Sequence, residues 1–253
     1  MLTNSSILIT GGTGILGKCL STYFVKNGWK VIITSTSEER ASIFINSFSE
    51  DENISFFICD LCEPDGPDSL IQKITAQGIK VNHLINNARS LDSLKVNEDG
   101  FSERGSFLKE FTMHVVAPYE LSVSLFKNQK DSLRTIINIG SQYGTVAVNP
   151  SLHNGDLSKA PIQYGVAKSA LHHLTKELSV RFIKHGIRVN CVAFGGVEGR
   201  SDESFKARYS KLVPSGRMLD EKEVIGPIEF LLSAASSSLN GGIISADGGW
   251  TLW

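Results

Sequence analysis

Short runs of β-branched, aromatic and aliphatic residues alternate along this chain with longer segments of helical periodicity. The runs predict seven strands, at residues 6–10, 30–34, 54–59, 81–86, 135–139, 187–193 and 243–246. The amphipathic segments between them predict helices at residues 16–27, 38–48, 69–77, 107–127, 162–185 and 221–233. Because strands that are apolar on both faces need helices on both sides, the alternation indicates a doubly wound α/β fold with a parallel sheet.

The length and composition are those of one globular enzyme domain. The 253 residues show no internal repeat, linker or composition shift, so we expect a single domain over residues 1–253. The net charge is -1 and the Lys and Arg residues are scattered, which argues against a nucleic-acid partner. No apolar run approaches membrane-spanning length and the N-terminus does not read as a secretion signal, so we expect a cytoplasmic protein with no membrane partner.

Cys59 and Cys62 form a C-x-x-C pair, which raises the question of a metal or redox site. A second ligand pair is missing nearby, and Cys59 ends an apolar run in which a cysteine commonly packs as a small hydrophobic residue. His172 and His173 are adjacent on a predicted helix and therefore point in different directions. We expect no metal site, and four cysteines are too few for a disulfide scaffold in a chain of this length.

A glycine-rich turn follows the first predicted strand and opens the first predicted helix. It reads TGGTGILG over residues 10–17. In this context Gly11 permits the tight turn, Gly14 lets the backbone approach a pyrophosphate, and Gly17 allows the helix to pack closely on the strand. The helix start offers free N–H groups and the positive end of its dipole to the anion. The turn predicts a Rossmann-type dinucleotide site that also includes Thr13, Ile15 and Leu16.

Other candidate cofactor contacts stand near the ends of later strands, where ligands of parallel sheets bind. Asp60 is placed to accept a hydrogen bond from an adenine amine, and Asn87 and Ala88 are placed to line the ribose. Asp and Asn are also common turn residues, so a purely structural role stays open for them. Leu61 and Val197, which follow the third and sixth strands, are assigned to the same pocket.

The residues that follow the second strand determine the preference for NAD or NADP. An acidic side chain there holds the ribose hydroxyl of NAD, whereas a basic side chain holds the 2′-phosphate of NADP. Here the chain has hydroxyl side chains, Ser35 among them, and neither an acid nor a base. No carboxylate would repel a phosphate, and Lys18 and Arg40 are candidates to lie nearby. We therefore expect NAD(P)(H) as the cofactor, with a preference for NADP(H).

Tyr164 and Lys168 form the candidate acid/base pair. They lie at the start of a long predicted helix, and their spacing of four residues puts both side chains on one face. A free tyrosine has a pKa near ~10, and a nearby ammonium lowers that pKa towards the range that acid/base catalysis needs. Ser141, close to the end of the fifth strand, is placed to donate to a substrate oxygen that becomes negative during reduction. For an isolated Y-x-x-x-K, a solvated helix face is the common alternative.

Several motifs stand in a fixed order along the chain: TGGTGILG at 10–17, Asp60, NNA at 86–88, Ser141, YGVAK at 164–168, GIRVNCVA at 186–193 and DGGW at 247–250. Together they resemble the short-chain dehydrogenase/reductase superfamily over the whole chain. The resemblance implies that Tyr164 exchanges a proton with the substrate hydroxyl and that Ser141 positions the substrate. It also implies that Lys168 holds the nicotinamide ribose and lowers the pKa of Tyr164, while the nicotinamide carries the hydride.

The same resemblance implies a homo-oligomer, either a dimer or a tetramer. Trp250 and Trp253 are then expected to be buried at a subunit contact, since aromatic side chains are enriched at interfaces.

Four features depart from the usual pattern of that family. The glycines are spaced GxxGxxG rather than TGxxxGxG, and Arg89 follows NNA where glycine is usual. His114 stands in the usual place of an asparagine that holds a relay water. An imidazole with a pKa near ~6.5 either passes protons itself or only packs and hydrogen-bonds within its helix. Residues 148–161 look like an insertion between Ser141 and Tyr164.

Two irregular stretches, residues 142–161 and 194–216, are longer than a connection needs, and we expect both to form walls of the substrate site. With SQYG, FGGV, PSGR and GGWTLW, the chain resembles bacterial oxidoreductases of surface-sugar and flagellin-glycan pathways, including nonulosonic acid synthesis. That resemblance implies a phosphorylated or amino sugar as substrate. Polar loop side chains are candidates for recognising it, although most such groups face water. They are His153, Asn154, Asp156, Lys159 and Arg200.

The sequence thus predicts an oxidoreductase that interconverts a secondary alcohol and a ketone, on a sugar or sugar phosphate of bacterial glycan biosynthesis. Two other functions stay open at this point. The GxxGxxG turn also fits a sugar epimerase or dehydratase that retains its cofactor. The replacements at Arg89 and His114 fit a non-catalytic regulator that binds NAD(P), although the intact Ser141, Tyr164 and Lys168 argue against it.

Overall fold

The computed structural model describes residues 5–49, 52–199 and 201–253, and these residues form one parallel sheet of seven strands. The strands lie in the order β3-β2-β1-β4-β5-β6-β7. Their bounds are β1 Ser6–Ile9, β2 Lys30–Ser35, β3 Ile54–Ile58, β4 His83–Asn86, β5 Thr135–Ser141, β6 Arg188–Phe194 and β7 Ile243–Ala246. The central strands β1, β4 and β5 are buried along their whole length because helices cover both faces of the sheet. The predicted doubly wound α/β fold is confirmed.

Helices cover both faces of this sheet. Within the described ranges they are α1 Ile15–Lys26, α2 Glu38–Ile45, α3 Gly66–Ala76, α4 Arg104–Phe111, α5 Ala117–Gln129, α6 Ile162–Phe182, α7 Glu203–Leu212 and α8 Ile225–Leu232. Because side chains alternate across a strand, Ile7 and Ile9 of β1 enter one core and Leu8 enters the other. The first core packs α1 and α8 on the sheet, and the second packs α3, α5 and α6.

The single helix predicted over residues 107–127 consists of three elements. After α4 ends, Thr112–Val116 form a π-helical turn, and α5 then begins with Pro118 in its first turn. Proline has no N–H to donate to the carbonyl four residues earlier, which here belongs to His114, so the α-helical register is interrupted at that point. The wider turn carries His114 on its inner side, where the residue is buried.

The second stretch predicted as irregular, residues 194–216, is partly helical, which corrects the prediction. α7 lies inside it and is capped by Asp202, whose side chain accepts from the Phe205 N–H at 2.8 Å. The first stretch, residues 142–161, is built from short 3₁₀ turns. These are Gln142–Gly144, Pro150–His153 and Leu157–Lys159.

A third, smaller core attaches both stretches to the C-terminus. It consists of Leu152, Tyr209, Val213, Met218 and Trp250. Trp250 stacks on Tyr209 with 4.5 Å between ring centroids, and it is 5% exposed. The expectation of a subunit contact is therefore wrong for Trp250, which is buried inside its own chain. Trp253, by contrast, is 80% exposed.

Within the described parts of the chain, no helix has the length and apolar character needed to cross a membrane. The same parts contain no group of three or more His, Cys, Asp or Glu side chains that would hold a metal ion. Cys59 instead donates from its thiol to the carbonyl of Gly66 at 3.4 Å, and burial raises its pKa to about 11. The thiol is therefore protonated at neutral pH.

Candidate active site

The carboxyl ends of β1, β4 and β5 meet at one edge of the sheet. Strand order switches between β1 and β4, so the connections leave these strands in opposite directions and a crevice forms between them. The glycine turn follows β1, Asn87 and Ala88 follow β4, and Ser141 is the last residue of β5. The fold therefore brings the predicted cofactor and catalytic positions to the same crevice.

The glycine turn has no room for side chains. A Cβ at Gly17 would lie against the carbonyl oxygen of Gly11 and 2.8 Å from the Cα of Gly12, and a Cβ at Gly11 would lie 2.9 Å from the Cα of Ala88. Gly11 also has a φ of +64°, which favours glycine. Gly14 is the N-cap of α1, no side chain caps this helix, and its first turn carries no acid. Its N–H groups and positive dipole end are open to an anion, so the turn fits the pyrophosphate of a dinucleotide.

The segment after β4 is hydrogen-bonded to the start of this turn. The Asn87 side-chain amide donates to the Thr10 carbonyl at 2.8 Å, and Thr10 Oγ1 accepts from the N–H groups of Asn87 and Ala88 at 2.9 and 3.0 Å. Beneath them, Asn86 donates to Asn138 at 2.8 Å inside the sheet. These bonds hold Asn87 and Ala88 beside the glycine turn, with the Asn87 amide already engaged by the protein.

Three further cofactor candidates have different surroundings. The Ser35 hydroxyl at the end of β2 lies 3.3 Å from the Thr13 hydroxyl, so these two groups stand together beside the turn. Asp60 accepts from the Cys62 N–H at 2.8 Å, which is a turn role. Leu61 is 5% exposed and packs in the second core.

The segment after β6 reaches the glycine turn from the other side. Val197 forms an isolated bridge with Leu219 and packs against the first core, as does Leu16. Ile15, at the start of α1, is exposed, and a Cβ at Gly199 would lie 3.2 Å from its Cδ1. The structure thus places Ile15 at the rim of the crevice and Leu16 and Val197 partly in its wall.

Ser141, Tyr164 and Lys168 come together where β5 ends and α6 begins. Lys168 lies one helical turn after Tyr164, and its Nζ is 5.7 Å from the centroid of the Tyr164 ring. The same Nζ donates to the carbonyl of Ile139 at 2.7 Å, which fixes the buried ammonium. The Ser141 hydroxyl accepts from the Tyr143 N–H at 3.2 Å, and its side chain is close enough to Tyr164 to lower the pKa of that phenol. The three side chains predicted to act together therefore share one pocket.

Arg89 also belongs to this pocket, and the sequence had marked it only as a departure from glycine. Its guanidinium carbon lies 5.7 Å from the centroid of the Tyr164 ring. Burial raises the pKa of Tyr164, and the charge of Arg89 and the Ser141 hydrogen bond oppose this rise without cancelling it. The predicted lowering of this pKa by Lys168 is therefore not what the structure shows. Burial lowers the pKa of Lys168 itself to about 8.

His114 lies against the other side of the acid/base pair. Its ring is 2% exposed and packs edge-on against the Tyr164 ring, with 5.8 Å between centroids. Its Nε2 lies 3.0 Å from Oε1 of Glu110, although the two groups are not aligned as a hydrogen bond. Burial and the positive charge of Lys168 lower the pKa of His114 to about 4, so the imidazole is neutral at neutral pH.

Glu110 is a pocket residue that sequence analysis missed. It is fully buried in α4, and the Ser93 hydroxyl donates to its second carboxylate oxygen. Burial raises the pKa of Glu110, but the contacts with His114 and Ser93 and the charge of Lys168 outweigh burial, and the net pKa is lowered. The carboxylate is therefore ionised at neutral pH. Its spacing of four residues from His114 was the available signal, since such residues are neighbours on a helix.

α7 joins the two stretches predicted as substrate walls. The Tyr209 hydroxyl accepts from the Gly196 N–H at 2.8 Å and donates to Oε1 of Gln142 at 2.9 Å. The Arg208 Nε donates to the carbonyl of Leu152 at 2.8 Å. α7 is therefore hydrogen-bonded to Gln142 and Leu152 of the first stretch and to Gly196 of the second.

The polar loop residues proposed to recognise a sugar have local contacts. Asn154 occupies a left-handed turn with a φ of 55°, and Asp156 accepts from the Ser158 N–H at 3.1 Å. The His153 ring lies 5.9 Å from the Phe205 ring. Arg200 and the side chain of Lys159 lie outside the described residues.

This chain is similar in sequence and structure to known dehydrogenases. The family model described as short chain dehydrogenase matches residues 5–209. Galactitol 2-dehydrogenase of Rhizobium johnstonii is 24% identical, over 100% of this chain and 97% of that protein. The post-translational flagellin modification protein A of Campylobacter coli is 24% identical, over 100% of both. The solved structure of ElxO with NADP bound is 27% identical, with a TM-score of 0.85, over 99% of this chain and 100% of that one.

The family match spans the glycine turn, the NNA segment, Ser141 and the YGVAK segment. The seven-stranded parallel sheet is the architecture that this match requires. The chain belongs to the short-chain dehydrogenase/reductase family and is an oxidoreductase that acts on a CH–OH group with NAD or NADP.

Proposed function

We propose that this enzyme interconverts a secondary alcohol and a ketone on a sugar or sugar phosphate of bacterial glycan biosynthesis, with Tyr164 as the acid/base. The observation that carries the proposal is the position of the phenol. The Ser141 side chain acts on it and lowers its pKa, its ring centroid lies 5.7 Å from each of two cationic groups, and it belongs to the same crevice as the glycine turn. Such a phenol can exchange a proton with an oxygen held beside a bound dinucleotide.

In the direction of reduction, the Ser141 hydroxyl donates to the ketone oxygen and holds it beside the phenol. When bound, the nicotinamide supplies the hydride to the carbonyl carbon. Tyr164 gives its proton to the oxygen as negative charge develops there, and the product is the alcohol. Because burial raises the pKa of Tyr164, the phenol is protonated at neutral pH, which is the form that this step needs. The charge of Arg89 stabilises the phenolate that remains. Lys168 would hold the nicotinamide ribose when the cofactor is bound.

His114 returns a proton to Tyr164. A neutral imidazole has one N–H donor and one acceptor nitrogen, so it passes a proton without a lasting charge. A cavity of about 10 Å³ lies against His114 and Asn86, and this is room for about one water molecule. Oδ1 of Asn86 is buried and has no hydrogen-bond partner among the described residues, so it is available to such a water. The ionised Glu110 lies 3.0 Å from the imidazole Nε2 and favours a positive charge there during the transfer.

The sugar-like substrate is supported by the relatives and by the loop wall. One relative is a galactitol 2-dehydrogenase and another is a flagellin modification protein. The wall formed by residues 142–161 and 194–216 borders the crevice directly after Ser141, where a polyhydroxy compound would extend from the reacting carbon.

NADP(H) is the proposed cofactor form. At the end of β2 the side chains of Ser35 and Thr36 carry hydroxyls, and the Arg40 guanidinium lies 3.5 Å from the Thr36 hydroxyl. A guanidinium beside hydroxyl groups suits a ribose phosphate. The first turn of α2 carries Glu38 and Glu39, which point out from the adjoining helix and are exposed.

A homo-oligomer completes the proposal. Ile162, Val166 and Val180 are exposed apolar residues whose spacing places them along one side of α6, and Tyr119 on α5 is 47% exposed. Apolar side chains on two adjacent helices fit a symmetric contact with a second copy of the chain.

Tyr164→Phe tests the central assignment, because it removes only the hydroxyl. We expect turnover to fall by about 100-fold or more, the scale of general acid/base catalysis, while affinity for NADPH is retained. The measurements are the absorbance of the reduced nicotinamide during turnover and a calorimetric titration with NADPH. Tyr23→Phe is the matched control and should behave as wild type, because Tyr23 lies near the C-terminal end of α1 and its hydroxyl donates to Glu229 on α8.

Other results of these assays would contradict the proposal in different ways. Full turnover in Tyr164→Phe would overturn the acid/base role, and equal loss of turnover and cofactor affinity would point to a structural role for the hydroxyl. Turnover of the wild type without added nicotinamide would favour an epimerase or dehydratase with retained cofactor.

A further inference from the structure

Arg89 turns a guanidinium towards the reacting phenol from the mouth of the crevice. It follows the NNA segment directly, and its guanidinium carbon is 5.7 Å from the Tyr164 ring centroid. Its charge influences three groups in the pocket, namely Tyr164, Lys168 and His114. The residue as a whole is nevertheless exposed. Its charged end is therefore accessible both to solvent and to a molecule that enters the crevice.

The guanidinium has free hydrogen-bond donors. Among the described residues, no carboxylate or carbonyl accepts from it, and its one direct partner is the face of the Tyr164 ring. Several other arginines of the chain are occupied: Arg181 by Glu177, Arg188 by carbonyls that include that of Leu231, Arg208 by the Leu152 carbonyl and Arg217 by Glu223. Arg89 keeps a planar fork of N–H donors, which matches carboxylate and phosphate oxygens.

The charges around the phenol leave an excess of positive charge. Arg89 is always a cation, and Lys168, with a pKa of about 8, is mostly protonated at neutral pH. Glu110 supplies one negative charge, and His114 is neutral. Two positive groups against one negative group favour an anion in a crevice with low-dielectric walls.

We propose that Arg89 binds an anionic group of the substrate, a carboxylate or a phosphate, that lies a few bonds from the reacting carbon. The natural substrate is then a keto or hydroxy sugar acid or a sugar phosphate, and not a neutral polyol. The proposal rests on the proposed function, because it names the substrate class of that same site. It adds a recognition residue outside the two loop walls.

Binding of simple anions tests this site without knowledge of the substrate. The probes are inorganic phosphate and tartrate, titrated by calorimetry into enzyme already saturated with NADPH, so that the pyrophosphate site is filled. We expect saturable binding to wild type and a loss of affinity of about 10- to 100-fold in Arg89→Gln, because a charge-assisted pair is removed. Arg89→Lys should lose several-fold, since it keeps the charge but not the fork.

Arg134→Gln is the matched control. Arg134 precedes β5 and lies with Lys130, Asp131 and His185 in a depression away from the carboxyl ends of the strands, so this variant should bind both anions as wild type does. Loss of binding in Arg134→Gln with retention in Arg89→Gln would overturn the proposal, because the anion would then bind at that depression. Absence of saturable binding to the wild-type holoenzyme would overturn it as well.

Matched substrates separate substrate binding from an effect on the phenol. The pairs are fructose with fructose 6-phosphate, and sorbose with 5-ketogluconate, which test phosphate and carboxylate separately. We expect Arg89→Gln to lower the ratio of kcat/KM for the anionic to the neutral member by about 10- to 100-fold in one pair. An equal fall for both members of each pair would mean that Arg89 acts only on the charge state of Tyr164.

The same experiments distinguish failure of the proposed function from failure of anion binding at Arg89. If none of these sugars were reduced, the sugar assignment would fail, while the anion titrations would still decide whether Arg89 binds anions. If Tyr164→Phe retained anion binding but lost turnover, both proposals would be supported.

Discussion

Gly17→Ala tests whether the glycine turn holds the pyrophosphate. The added methyl group would lie against the carbonyl oxygen of Gly11 and 2.8 and 2.9 Å from the Cα and carbonyl carbon of Gly12. These are backbone atoms, so no side chain can rotate out of the way, and the start of α1 must move off the turn. Overpacking of this kind lowers the free energy of unfolding by about 1–3 kcal/mol.

The displacement also moves the N–H groups at the start of α1 relative to the anion. If one charge-assisted hydrogen bond is lost, at about 1.5–3 kcal/mol, NADPH binds about 10- to 100-fold more weakly. Calorimetric titration with NADPH measures the affinity, and urea denaturation without cofactor measures the free energy of unfolding. The two readouts separate damage to the site from general destabilisation.

Gly28→Ala is the matched control. Gly28 follows α1 with a φ of +78°, and no atom lies within 4 Å of an added Cβ. The left-handed backbone makes alanine cost about 1–2 kcal/mol there, but the site is not touched, so affinity for NADPH should equal that of wild type. If Gly17→Ala bound NADPH as tightly as wild type, or if both variants lost the same affinity, the turn would not be the pyrophosphate site.

Two further changes test the cofactor preference and the buried imidazole of His83. Arg40→Gln should lower the ratio of kcat/KM with NADPH to that with NADH by about tenfold, because a charged partner of the 2′-phosphate is lost. An unchanged ratio would remove Arg40 from that role. Burial lowers the pKa of His83 to about 4 from an unfolded value near 6.5, so the folded state binds fewer protons in this window and stability falls as pH decreases through it. The shift corresponds to about 2 kcal/mol of unfolding free energy lost between pH 7 and pH 5, and His83→Gln should flatten the pH dependence by that amount in urea titrations. An equally steep dependence in the variant would contradict the buried, neutral imidazole.

The features that sequence analysis predicted well depend on local patterns. The strand at Ile243–Ala246 has the predicted bounds, and β5 begins at the predicted Thr135, because apolar β-branched runs determine both. The glycine turn is equally local, since its steric requirements arise within a few residues of chain. β5 runs on to Ser141, two residues beyond the predicted end, because Gly140 and Ser141 continue to pair with β6. Pairing between distant segments is not visible in one strand's composition.

The features that were missed depend on tertiary contacts. Glu110 has the composition of a surface residue, and only the approach of Ser93 and His114 makes its burial tolerable. α7 is a polar segment with few apolar residues, and its position is set by Tyr209 and Arg208, which bond to a loop more than 50 residues earlier. The burial that raises the pKa of Tyr164 is likewise a property of the folded pocket, so a rule based on the spacing of Tyr164 and Lys168 alone gave the wrong direction.

The charged groups around Tyr164 affect both the direction of the reaction and the class of substrate that the pocket suits. Arg89 comes from the end of β4, Glu110 and His114 from the helix interrupted at the π-helical turn, and Lys168 from α6. Together they leave a protonated phenol in a field with more positive than negative charge. Reduction can start from that state, whereas oxidation first needs the phenolate, whose formation the positive field assists but burial opposes. An anionic substrate at Arg89 would weaken the positive field and keep the phenol protonated. If Arg89 binds an anionic group as proposed, we expect reduction of an anionic ketone at neutral pH and oxidation of the corresponding alcohol at higher pH.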